Sequence, residues 1–104
     1  SRLTCYINDY GRDEAYVEFL KDFVGKDTLV ILISSSGNSM NIVNCATFCK
    51  SLGISFILLS GFDKDNKLNT FDGGNMKYWV NSHDYGVVET AHQVFLHSIL
   101  GEND

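Results

Sequence analysis

The chain has 104 residues, enough for one small domain and not two, with ordinary apolar and charged fractions of 44% and 20%. Its net charge of −5 argues against a nucleic-acid groove, and its longest apolar runs, LVILI and ISFILL, are far too short to span a bilayer. The first eight residues lack the apolar core of a signal peptide, and the odd count of three cysteines fits free thiols, so a cytoplasmic protein with neither membrane nor nucleic-acid partners is expected.

Residues 12–24, RDEAYVEFLKDFV, carry apolar side chains at helical spacing with acids in the first turn, which predicts a helix stopped by Gly25. Residues 28–34 begin TLVILI, an unbroken apolar run that suits a strand buried on both faces of a parallel sheet. From residue 39 to residue 52 the period changes. Met40, Ile42, Val43, Ala46, Phe48 and Cys49 follow helical spacing, and Gly53 closes the segment. Cys45 and Cys49 stand four apart on this helix and read as small buried residues rather than a metal or redox pair.

A second strand is predicted at residues 54–60, followed by a polar, turn-rich stretch. DKDN at residues 63–66 is similar to the start of a calcium loop, but Lys67 and Leu68 replace a needed ligand and glycine. A third strand is expected at 76–81 and a last helix at 86–100. On that helix Val87, Val88, Ala91, Val94, Phe95 and Leu96 spread beyond one stripe, which predicts self-association. Strands alternating with helices imply right-handed crossovers and a thin, three-stranded parallel α/β sheet.

The loop at residues 34–39, SSSGNS, is the most informative stretch. It follows a strand and precedes a helix, the place where open α/β sheets bind ligands. The first turn of a helix offers backbone N–H groups and partial positive charge to an anion. Serine hydroxyls donate to phosphate oxygens, and Gly37 lets the backbone turn. A single helix cap at Asn38 or Ser39 accounts for one residue, not for four serines in six positions. The loop holds no lysine and lacks Walker A spacing, so no nucleotide is expected.

SSSGNS after an apolar strand resembles the S-T-S-G-N-S loop of SIS (sugar isomerase) domains, most of all in phosphoheptose isomerases. NDYG at residues 8–11, SLGISFILLSG at 51–61, and Glu89, His92 and His97 on the last helix agree, the family having Gln where Glu89 stands. The resemblance covers the whole chain but only the C-terminal part of the family domain. It implies a flavodoxin-like three-layer α/β sandwich without its N-terminal portion, residues 1–104 being a single partial SIS domain.

The resemblance implies that Ser34, Ser35, Ser36 and Ser39 hold a sugar phosphate, with Asn8 and Asp9 on its polar chain. Without it, Asn8 and Asp9 read equally well as a capping turn. His97 matches the family's active-site histidine, a proton donor or zinc ligand. Glu89 is a metal ligand, a base, or the mark of a different substrate. His92, on another helix face, reads as a packing residue. The family's catalytic Glu belongs to the N-terminal part and has no equivalent among these residues. The implied activity is isomerisation of sedoheptulose 7-phosphate to D-glycero-D-manno-heptose 7-phosphate, for lipopolysaccharide or capsule, by a homotetramer with zinc as its candidate cofactor. The alternative is a non-catalytic SIS module that binds a sugar phosphate or a partner protein.

Overall fold

The computed structural model describes residues 3–9, 16–22, 25 and 27–100. Their elements run β1 (Leu3–Asn8), α1 (Tyr16–Lys21), β2 (Thr28–Ile33), α2 (Met40–Leu52), β3 (Ser55–Ser60), β4 (Met76–Trp79) and α3 (Tyr85–Leu100). The strands form one parallel sheet in the order β1-β2-β3-β4.

Side-chain alternation along β2 and β3 divides the interior in two. Val30, Leu32, Phe56 and Leu58 face α1 and α2, where they pack with Leu20, Ile42, Ala46 and the two buried cysteines. Ile31, Ile33, Ile57 and Leu59 face the other way and pack against Leu96 of α3. Both central strands are therefore covered on both faces, which explains their unbroken apolar text. The result is the expected helix–sheet–helix sandwich.

The second helix matches its sequence signals closely. Ser39 caps its start, the hydroxyl accepting from the Ile42 N–H at 3.3 Å. Gly53 ends it in the left-handed region at φ 70°, its N–H turned back to the Cys49 and Lys50 carbonyls. Cys45 and Cys49 are fully buried, as expected of small core residues. Burial pushes the Cys45 thiol up to about 12 and the Cys49 thiol to about 11, so both are unreactive thiols at neutral pH.

Two expectations need correction. The sheet has four strands, not three, because residues 3–8 form β1 on the edge beside β2. Only Ile7 of β1 is buried while Leu3 and Tyr6 are exposed, so no apolar run announces it. β4 stops at Trp79, two residues before the expected end. The first helix is described over Tyr16–Lys21; residues 12–15, 23 and 24 of the expected helix, and Tyr10 and Gly11 of NDYG, lie outside the described residues.

Candidate anion and sugar site at the carboxyl edge of the sheet

Because all four strands are parallel, their carboxyl ends share one edge. Asn8 pairs with Ile33, Ile33 with Leu59, and Ser60 with Trp79. The loop at residues 34–39 leaves β2 at that edge and runs into α2, as the sequence predicts.

The loop is folded on itself by its own serines. The Ser34 hydroxyl accepts from the Gly37 N–H at 3.1 Å, and the Ser36 hydroxyl from the Asn38 N–H at 3.2 Å. An oxygen that accepts in this way keeps its own O–H to donate outward. Ser34 and Ser35 are buried; Ser36 and Ser39 are half-buried. Gly37 adopts φ 74°, and a Cβ there would lie 2.1 Å from the side chain of Asn66. Both the backbone and the space therefore demand glycine.

The turn after β3 braces the loop from the other side. Asn66 is 2% exposed. Its amide donates to the Ser60 hydroxyl at 3.2 Å and to the Gly61 and Asp63 carbonyls at 2.9 Å each, and its oxygen accepts from the Asn69 N–H at 2.7 Å. The Leu68 N–H donates to the Gly37 carbonyl at 2.9 Å, and the Lys67 N–H to the Asn38 side chain at 3.0 Å. Thus the DKDN segment, which holds no calcium pattern, ends in the residue that packs under the serine loop.

Across the edge lies α3. A cavity of about 310 Å³ is lined by Asn8, Ile33, Ser35, Glu89, Thr90, His92 and Gln93. A second, of about 300 Å³, shares Asn8, Ile33 and Gln93 with it and adds Tyr6 and His97. The structure therefore brings Asn8, Ser35 and Glu89 to one cavity and His97 to its neighbour. Asp9, Ser34, Ser36 and Ser39 do not line these two spaces. Both Glu89 and His97 are exposed on α3. Eight residues separate them, about 12 Å along the helix axis and about 80° around it.

His92, read from the sequence as packing, is indeed buried, but it also lines the first cavity. Its Nε2 lies 3.0 Å from the Ser60 carbonyl, an acceptor, so Nε2 carries the hydrogen. Nδ1 is buried without a hydrogen-bond partner. Burial lowers its pKa, partly opposed by the Ser60 carbonyl and the Glu89 carboxylate. Close by, Gly61 lets α3 approach: a Cβ there would come within 2.7 Å of Val88 and 3.0 Å of the Ser35 carbonyl.

The described residues contain no group of three or more His, Cys, Asp or Glu side chains able to hold a metal. Glu89 and His97 supply two donors, short of the three protein ligands of a catalytic zinc. A zinc site on them would need ligands from outside the described residues.

No protein-family model matches the chain. Curated relatives include phosphoheptose isomerases of Aliarcobacter butzleri, 35% identical over 99 residues, and of Campylobacter concisus, 31% identical over 99 residues. Each alignment covers 95% of this chain and 51% of the relative, so the chain spans about half the length of the curated relatives it matches. The solved structure of phosphoheptose isomerase GmhA from Neisseria gonorrhoeae superposes with a TM-score of 0.73 at 17% identity, over 86% of this chain and 49% of that one. A phosphoheptose isomerase from Francisella tularensis gives 0.69 at 19% identity, over 80% and 44%. At such identities these two structures speak for the fold, and the curated relatives for descent. By sequence and fold together, the chain is similar to the C-terminal part of phosphoheptose isomerases.

Proposed function

We propose that this chain is the phosphate-anchoring part of a sugar-phosphate aldose–ketose isomerase acting on sedoheptulose 7-phosphate to give D-glycero-D-manno-heptose 7-phosphate. The observation that carries the proposal is the serine loop, braced at the carboxyl edge of the sheet, with Ser35 opening on a cavity that Asn8 and Glu89 share. The names of the curated relatives supply the reaction class.

The reaction moves a proton between adjacent carbons through an enediol. It needs a carboxylate base, an acid near the carbonyl oxygen and a remote anchor for the phosphate. In this proposal the loop hydroxyls and the first-turn N–H groups of α2 take the phosphate. Asn8 and Glu89 meet hydroxyls of the sugar chain. His97 exchanges a proton with the substrate oxygen, and the carbon base comes from residues outside this chain's described part. A zinc held partly by His97 and Glu89 would polarise the carbonyl; no step here depends on it. A cytoplasmic homotetramer, with lipopolysaccharide or capsule heptose as the end product, completes the reading.

The test is made in the full-length protein with two variants. Ser36→Ala with Ser39→Ala should weaken sugar-phosphate binding by roughly 1.5–3 kcal/mol for each lost charge-assisted hydrogen bond, measured by calorimetry. His97→Gln should lower kcat by roughly 10²–10⁴-fold with little change in KM. Unchanged affinity in the first would reduce the serines to caps. An inactive wild type that still binds the sugar phosphate would favour a non-catalytic binding module.

A further inference from the structure

We propose that Asn66 is the positioning residue of the anion loop: its buried amide holds the turn at residues 61–69 in the shape that fixes Gly37 and Asn38 for phosphate. The inference rests on the phosphate reading of the serine loop and adds a residue that does not touch the ligand.

Three observations carry it. First, both ends of the Asn66 amide are engaged, with the end of β3 and with its own turn. Two amide hydrogens serve the Ser60 hydroxyl and the Gly61 and Asp63 carbonyls, and Oδ1 takes the Asn69 N–H. At 2% exposure these bonds have no water to replace them, so each lost partner leaves a buried polar atom unmatched. Second, the turn so shaped presents the Leu68 and Lys67 N–H groups to the Gly37 carbonyl and the Asn38 side chain, at 2.9 and 3.0 Å. Third, the Asn66 side chain fills the space that a Cβ on Gly37 would need, so it sits directly beneath the left-handed residue of the loop.

The chemical sense is preorganisation. An anion is bound well only when the donors already point at it, since reorienting a loop consumes binding energy. The peptide after Gly37 is held at both ends, its carbonyl by the Leu68 N–H and its N–H by the Ser36 hydroxyl. If that peptide turned, the Asn38 N–H would leave the Ser36 hydroxyl, and the hydroxyl would lose the bond that orients it for an anion. No other side chain of the turn is both buried and engaged with Ser60, Gly61 and Asp63 at once.

The test uses the full-length protein with inorganic phosphate and the sugar phosphate as probes. Asn66→Asp keeps the acceptor for the Asn69 N–H but loses the amide donors. Asn38→Ala removes one exposed bond on the opposite side of the contact and leaves the core untouched. Expected are a Kd for inorganic phosphate and a KM about tenfold higher in Asn66→Asp, and about two- to threefold higher in Asn38→Ala, with kcat at saturation within twofold of wild type. The ligand-free Gly37 and Asn38 amide resonances should shift in both variants, while those of α3 stay in place. A purely structural asparagine would lower the melting temperature of Asn66→Asp and leave Kd, KM and the Gly37 resonance of the folded fraction unchanged; that result overturns the inference. Should Asn66→Asp not fold, unchanged phosphate affinity in Asn38→Ala overturns it equally. Wild-type protein that binds neither probe overturns the phosphate reading itself, and the anchoring role with it.

Discussion

The serine loop and α3 border the same cleft, yet the loop is tied by hydrogen bonds from its own hydroxyls and from the turn beneath it, whereas α3 rests mainly on packing. Loop backbone groups meet Ser34, Ser36 and Leu68, and the Asn38 side chain meets the Lys67 N–H, at 2.9 to 3.2 Å. The helix sets Val88, His92 and Leu96 inward and leaves Val87 and Val94 at 51% and 64% exposure. The difference follows from the work proposed for each side. A phosphate anchor must hold its donors still before the ligand arrives. A surface carrying exposed acid and imidazole side chains gains its final geometry from whatever packs upon it.

The sharpest way to break this comparison is Gly37→Ala. The substitution forces a left-handed φ on alanine and drives its methyl into Asn66. It should cost about 3 kcal/mol of stability, read by denaturant unfolding, and should abolish phosphate binding. A loss below about 0.5 kcal/mol would mean that the loop is softer than its hydrogen bonds indicate.

A smaller effect should come from acid. His92 is held neutral by burial, and its pKa in the folded state lies below the ordinary 6.5. The unfolded chain therefore binds the proton more readily than the folded one. Stability from this group is present above about pH 6.5 and declines as the pH falls below that value toward the lowered folded pKa. Melting temperatures between pH 7.5 and 5 should fall more steeply in wild type than in His92→Gln. Parallel curves would show that the histidine does not titrate differently on folding.

The mildest change is Val94→Ser on the outer face of α3. In an isolated subunit it should alter stability by no more than about 0.5 kcal/mol. In the full-length protein it should weaken self-association, seen as a lower mass in light scattering at equal concentration. Retention of the full oligomer would move the contact surface away from this face.

What the sequence made legible followed from how completely each element is buried. β2 and β3 are covered on both faces, so their text is uninterrupted; α2 carries its caps at Ser39 and Gly53 in plain view. The place of the serine loop was readable because small polar residues follow a buried strand and precede a helical pattern. β1 was not readable, since an edge strand with Leu3 and Tyr6 exposed lacks both the run and the clean alternation. His92 could be assigned to the interior by helical phase, but its place on the cavity wall depends on how far α3 lies from β2. Asn66 was hidden for a similar reason: its partners are set by the tertiary path of a turn, and an asparagine beside Asp63 and Asp65 reads as ordinary loop.

The hydrogen on Gly61 is a spacer of the smallest possible size. Through it Val88 sits against the end of β3 and the Ser35 carbonyl, and Glu89, the next residue, is carried to the cavity wall. The gap between anchor and helix is consequently quantised. An alanine at this position would press on Val88 and on the Ser35 carbonyl at once, so the start of α3 and the serine loop would have to part. On the proposed reading, in which the loop anchors a sugar phosphate, that spacing would bear on which carbon of the ligand meets α3, although the substituted residue touches no part of it.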